Sequence, residues 1–353
     1  MHVFRMDTNV LIKTKPSTAR CDEEIYMSYL LSDPQYTSCV RLSTIMKTIS
    51  HDSINRFLER ERFEPKDLFD EEKNKIELVG GVLSVDDSVL DKPYSDPSKA
   101  AFIDYFWSGK HHAVVKGINI ITLFYTDING ISVPINYRIC NKSVNKTKND
   151  YFREMLIEVI SWGVIPAWVT GDSWYSSLEN LKFIRSKKMN FMFGIESNRI
   201  ISSDRGKYIQ IQKFEDWSSD DMATVYLKDY GMVKACRQLY KNVYRYYVMS
   251  TAELDHLESV TKIDFERVHN AHWSIERFHR AIKQVCNIER FQVRNENPIK
   301  NHIFCALRAF VKLELMRFNE KISHWYEVRR DLYLNTIHNF IVGSAKFDAA
   351  VNA

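Results

Sequence analysis

The chain has 353 residues, 45% hydrophobic and 13% aromatic, with a formal net charge of +4. That composition can bury a large core, excludes a disordered or fibrous chain, and at this length suits one large domain with a smaller one. No run approaches the roughly 20 apolar residues of a membrane helix, and residues 1–17 lack the basic-then-apolar order of a secretory signal, so a cytoplasmic protein without membrane contact is expected. Six cysteines without a C-x-x-C pair read as reduced packing residues.

In residues 41–61, RLSTIMKTISHDSINRFLERE, the apolar positions Leu42, Ile45 and Ile49 and then Ile54, Phe57 and Leu58 predict two short helices broken around Ile49-Ser50. Ser50 or Asp52 would cap the second. This is a helix-turn-helix pattern, with Asn55 and Arg56 on a second helix able to lie against DNA, although two short amphipathic helices also occur in ordinary bundles. Residues 1–75 are accordingly expected to form a small helical DNA-binding domain.

From residue 76 the pattern becomes stranded. Val82-Leu83-Ser84-Val85 predicts a buried strand ending on two adjacent acids, Asp86 and Asp87. Residues 117–127 and 131–139 predict a hairpin turning at Asn129-Gly130, and residues 148–163 a helix stopped by Gly163. A strand ending at Asp172, a helix from about Ser176 and a strand at 191–195 follow, giving the order strand, strand, strand, helix, strand, helix, strand. Such an α/β order places strand ends at one sheet edge, where open sheets build their sites. Two acids delivered there would repel and raise one pKa unless a cation neutralised them. Hard oxygen donors select Mg²⁺ or Mn²⁺, two of which suit phosphodiester chemistry. An isolated aspartate after a strand is more often a turn or cap residue.

Residues 198–262 read as short alternating strands, a β-rich insertion over about 198–245 whose last strand rejoins the main sheet. In the HWSIERFHRAIKQ stretch that follows (272–284), Glu276, His279, Arg280 and Lys283 fall on neighbouring positions of one helix face. Three stretches are locally basic, at 110–116, 138–153 and 266–284, as a phosphate-facing surface would be, though each taken alone reads as a solvated face.

The order Asp86, Asp172, Glu276, with a β insertion before the last acid and W-x-I-E-x-F-H-x-A-x-K around it, resembles the DDE transposases of bacterial insertion sequences. The likeness spans roughly residues 76–290 and rests on VDDS, TGDSWYSS and a lysine seven residues after Glu276. It implies an RNase H-like mixed sheet flanked by helices over 76–320, a helical tail over 321–353, and an enzyme that cleaves the ends of its element and transfers them into target DNA. By the same resemblance, Asp86 (or its neighbour Asp87), Asp172 and Glu276 would hold two Mg²⁺ or Mn²⁺ ions. Lys283, Arg280 and His279 would face the DNA backbone, and Trp174 and Tyr175 would stack on or wedge into DNA. Relatives carry a tyrosine and an arginine where this chain has His269 and His272, and a neutral His272 would replace an arginine's phosphate contact only weakly. Asp86-Asp87-Ser88 favours Asp86 as the ligand. The implied partners are double-stranded DNA and a second copy of the chain, with 326–342 either an interface helix or core packing, and the implied location is the bacterial nucleoid. An RNase H-like nuclease or resolvase without strand transfer, and a non-catalytic DNA-binding remnant, are the alternatives.

Overall fold

A computed structural model describes residues 20–35 and 37–351; the residues read above for a leader lie outside that range. The described chain begins with four short helices, α1 (Glu23–Ser32), α2 (Cys39–Met46), α3 (His51–Arg60) and α4 (Pro65–Glu72). Then come β1 (Val82–Asp91), β2 (Asp104–Ser108), β3 (Ala113–Thr126), β4 (Ser132–Ile139), α5 (Lys148–Ser161), β5 (Trp168–Gly171), α6 (Leu178–Ser186) and β6 (Asn190–Ile195). Five further strands, β7 (Ile200–Ser202), β8 (Ile209–Gln210), β9 (Met222–Leu227), β10 (Gly231–Tyr240) and β11 (Val243–Ser250), precede α7 (Lys262–Gln284), α8 (Glu296–Phe318) and α9 (Glu327–Val351).

The strands form one mixed sheet in the order β2-β3-β1-β5-β6-β11-β10-β9-β7-β8, with β4 paired to the far end of β3. β1 runs parallel to β5, and β5 parallel to β6, through the α5 and α6 crossovers. β11 then returns antiparallel to β6, so the inserted strands extend the main sheet. Helices flank this sheet: α7 lies along β1, β3 and β5, while α5 contacts β3 and β4 and α6 contacts β6. Coverage by helices explains why the stretch of β3 from Gly117 to Tyr125 is mostly apolar, broken only by Asn119 and Thr122, with every residue in it buried.

β1 departs from expectation in a way that matters. It does not end at the acid pair but continues to Asp91, because its antiparallel ladder with β3 runs from Val82↔Thr126 to Asp91↔Gly117. Only its parallel ladder with β5 stops early, at Val85↔Gly171. Gly171 is needed there, since a Cβ would sit 2.8 Å from Val85 and from Phe193. The edge strand β2 and the 23-residue helix α8 were not anticipated from the sequence, and the helix expected from about Ser176 starts at Leu178, capped by Ser177, after a single 3₁₀ turn over Ser173–Tyr175.

Ser50 caps α3 by accepting the Ser53 backbone N–H, and the preceding break turns through Lys47 at φ 57°. α3 buries Ser53, Ile54, Phe57 and Leu58, and both α1 and α3 pack on α8. Asn301 of α8 donates to the carbonyls of Leu58 and Glu61 at 2.6 and 2.9 Å, and His302 meets the Tyr26 hydroxyl at 2.9 Å. One continuous buried cluster therefore runs from Cys21 to Trp325, and the N-terminal helices share it with the sheet.

Candidate active site

Because Val85↔Gly171 is the last pair of the parallel ladder, the next residue on each strand is an acid: Asp86 on β1 and Asp172 just past β5. Two carboxylates are thus delivered side by side by the backbone register. Asp172 caps the 3₁₀ turn by accepting the Trp174 N–H at 3.0 Å, which fixes its direction. α7 supplies the third side. Its start is set by a capping box between Thr261 and Asp264, and it brings His279 Nδ1 to 3.3 Å from Asp86 Oδ2 with Glu276 one turn earlier. A cleft of about 740 Å³ is lined by Asp86, Asp172, Glu276, Arg280, Lys283 and Trp174 among others.

The strand-borne acids of the cleft are buried against one another. Burial pushes the Asp86 carboxyl well above its ordinary value, and the Glu276 and Asp87 carboxylates push it further. Asp172 is pushed up to about 7, by burial first and then by Asp86 and Asp87. His279 offers no compensation: desolvation lowers it to about 4, so it is a neutral ring beneath Asp86 rather than a cation facing a phosphate. That placement differs from the backbone-contacting role the sequence suggested, because the helix face carrying residue 279 turns into the core, leaving its side chain 7% exposed. Lys283 is also engaged internally, donating to the Val89 carbonyl at 2.6 Å and lying 3.1 Å from Glu289. Arg280 projects into the cleft with no carboxylate partner among the described residues.

Asp87 also lines the cleft but has a different set of partners. Successive side chains of a strand alternate in direction, and this carboxylate accepts from Asn119 Nδ2 at 2.7 Å, Lys148 Nζ at 2.6 Å and the Tyr175 hydroxyl at 3.0 Å. Tyr175 is therefore a fully buried strut between the Asp172 turn and β1, not a surface ring for stacking. Trp174 beside it is 57% exposed, with the Lys148 ammonium 5.1 Å from its ring. Sequence reasoning missed Asn119 and Lys148 as individuals, although Lys148 lies in one of the basic stretches. All three stretches reach the cleft, through Lys110, Lys148 and the Arg280–Lys283 turn.

The remaining candidates lie elsewhere. His272 is lowered to about 4 by desolvation, its Nδ1 is buried without a partner, and it does not line the cleft. His269 pairs with the Tyr247 hydroxyl at 3.3 Å and stacks on Phe265. Asn55 and Arg56 sit on α3, the former exposed and in contact with the Cys39 thiol, the latter half-buried with an unpartnered Nε.

The donor chemistry suits a hard divalent cation: carboxyl groups in one cleft, two of them raised by burial first and by the charge of neighbouring carboxylates second. Among the described residues, however, no three His, Cys, Asp or Glu side chains already converge as a ligand group. Glu276 stands exposed at the mouth and would have to swing inward.

The sequence model of the family described as "Transposase DDE domain" matches residues 79–311. No curated protein sequence matches the chain. Among solved structures, the piggyBac transposase synaptic complex with hairpin DNA is similar at 13% identity and a TM-score of 0.47, covering 93% of this chain and 74% of that one. The Drosophila P element transposase strand transfer complex is similar at 12% identity and a TM-score of 0.27, covering 93% and 75%. The family match takes in both strand-borne acids, the inserted strands and α7, and this chain belongs to the DDE transposase family of DNA-cleaving and DNA-transferring enzymes.

Proposed function

We propose that the chain is the transposase of a bacterial insertion sequence, which binds the ends of its element as double-stranded DNA, cuts them, and joins the freed 3′-hydroxyl to target DNA. The observation that carries this reading is the register of β1 and β5, which sets Asp86 and Asp172 side by side beneath the helix bearing Glu276. Asp86, Asp172 and Glu276 would hold Mg²⁺ or Mn²⁺, which when bound supplies activation of the attacking oxygen and stabilisation of the leaving one. The chain's own residues position the DNA: Arg280 meets a backbone phosphate, Lys283 meets a second once released from Glu289, and exposed Trp174 stacks on a base near the cut. Neutral His279 orients Asp86 through its ring nitrogen. Asn55 and Arg56 on α3 contribute to recognition of the element ends, and two copies hold a pair of ends.

Purified protein with an element-end duplex should nick it in Mg²⁺ or Mn²⁺ and not in EDTA. Asp172→Ala and Glu276→Ala should each abolish nicking while retaining end binding, since affinity resides in the basic residues. Wild-type cleavage by either variant would remove the assignment. Cleavage without joining of a supplied target would reduce the reading to a nuclease.

A further inference from the structure

On the flank of α7 that continues from the cleft lies a cavity of about 800 Å³, walled by the β3–β4 turn, the start of β1 and residues 323–326. Arg280 lines both spaces, so the two are joined at one side chain. Along the helix, Arg267, Asn270, Ser274 and Arg277 recur at spacings of three or four and all line this cavity, forming one polar and basic stripe. The thirteen residue steps from Arg267 to Arg280 cover about 20 Å at 1.5 Å per step. That length corresponds to roughly six nucleotides of duplex at 3.4 Å each.

The acids lining this cavity are already occupied. Asp127 is buried and its carboxylate accepts the backbone N–H groups of Glu77, Asn129 and Ile131 at 2.9–3.1 Å. Glu314 is fully buried between Arg317 Nε at 2.7 Å, Trp325 Nε1 at 2.8 Å and the Ser132 N–H at 2.9 Å. Among the described residues, by contrast, Arg277 makes only a 2.9 Å bond to the Ser274 hydroxyl, Arg280 has no carboxylate partner, and Arg267 has one carboxylate partner, the half-buried Asp264, at 3.4 Å. Arg317 is spent on Glu314, but a trench whose acids are satisfied and whose Arg277 and Arg280 lack a carboxylate partner among the described residues is complementary to a chain of phosphates.

We infer that this trench is a second DNA-backbone track, which carries the duplex flanking the cut site away from the cleft, with Arg277 and Arg267 as phosphate contacts and Arg280 as the junction. The inference rests on the proposed DNA-cleaving role of the neighbouring cleft, and it adds a location and two residues that this role does not require.

The test uses the full chain in metal-free buffer with fluorescent random-sequence duplexes of about 10 and about 30 base pairs, the shorter able to bind in the cleft alone and the longer able to run through both spaces. Arg267→Ala with Arg277→Ala should bind the longer duplex roughly 10-fold more weakly, with a log-affinity against log-salt slope shallower by about 1.8, while binding the shorter one as wild type does. Arg277→Lys should restore most of the slope, since a lysine keeps the charge. An unchanged melting temperature will show that the loss is not one of folding. Equal affinity and slope on the longer duplex would overturn the track, as would an equal loss on both lengths. If the double variant binds DNA normally while wild type nicks an element-end duplex in a separate Mg²⁺ assay, only the track fails; if wild type neither binds DNA nor nicks it in Mg²⁺, the proposed function fails.

Discussion

The two sides of β1 at its acid pair are built on opposite principles. On one side Asp87, which also borders the cleft, is engaged by three donors, Asn119, Lys148 and Tyr175, from β3, α5 and the Asp172 turn. On the other, Asp86 shares a cleft with Asp172 and Glu276, and its basic neighbour His279 is kept neutral. The first arrangement braces the fold, because a carboxylate engaged by three donors ties β3, α5 and the Asp172 turn to β1. The second suits a cation-binding site, because carboxyl groups buried against one another create an electrostatic demand that a cation can meet. Adjacent residues of the same type thus differ in role because a strand turns them to different neighbours.

The sharpest way to break this comparison is to neutralise each acid. Asp86→Asn should reduce nicking to background with a melting temperature equal to or above wild type. Asp87→Asn should lower nicking by roughly 10–100-fold and stability by about 2 kcal/mol, the scale expected when an outer-shell partner of a partly buried charged network is weakened. Activity and thermal melts on the two variants decide it: the reverse pattern would exchange their roles.

A smaller effect follows from titration. Asp172 is raised in the fold from an ordinary value of 3.8 to about 7. A carboxyl whose folded pKa is raised costs no stability below its unfolded pKa, costs progressively more as pH rises through the interval between the two values, and costs the full amount above the folded one. Metal-free protein should therefore lose melting temperature between about pH 4 and pH 7 through this group, Mg²⁺ should restore it at pH 8, and Asp172→Asn should flatten the dependence. Melts that show no added Mg²⁺ stabilisation in wild type would contradict a cation-demanding cleft.

The smallest effect separates two cations on the same helix turn. Arg280→Ala should make the salt slope of duplex binding shallower by about 0.9, the value of one phosphate contact. Lys283→Ala should change it less, because its ammonium is already shared between the Val89 carbonyl and Glu289. A larger change from Lys283 would show that DNA binding displaces those internal partners.

Much of the site was legible because its signals are local. The apolar run before Asp86, the strand and turn around Asp172 and the helical spacing of Glu276, Arg280 and Lys283 need only the periods of strand and helix to be read. The helix break capped by Ser50 and the hairpin at Gly130, with φ 88°, were legible for the same reason. What stayed hidden depends on partners far away in the chain. Asp87 is answered by Asn119, Lys148 and Tyr175, 32, 61 and 88 residues distant, so its role has no local pattern. His279 reads as a basic neighbour of Glu276, and only burial beneath Asp86 makes it neutral.

By itself the sequence determined which residues could do the chemistry, since carboxylates, basic side chains and their placement on strands and one helix follow from residue type and periodicity. The tertiary structure decided which of them meet. The parallel register that ends at Val85↔Gly171 makes neighbours of Asp86 and Asp172, the β3 ladder carries β1 past them, and α7 faces one flank to the cleft and the next to the arginine trench. Register and helix rotation are set by long-range packing of the core, and a one-residue slip in β1 would exchange Asp86 for Asp87 without altering any local sequence signal.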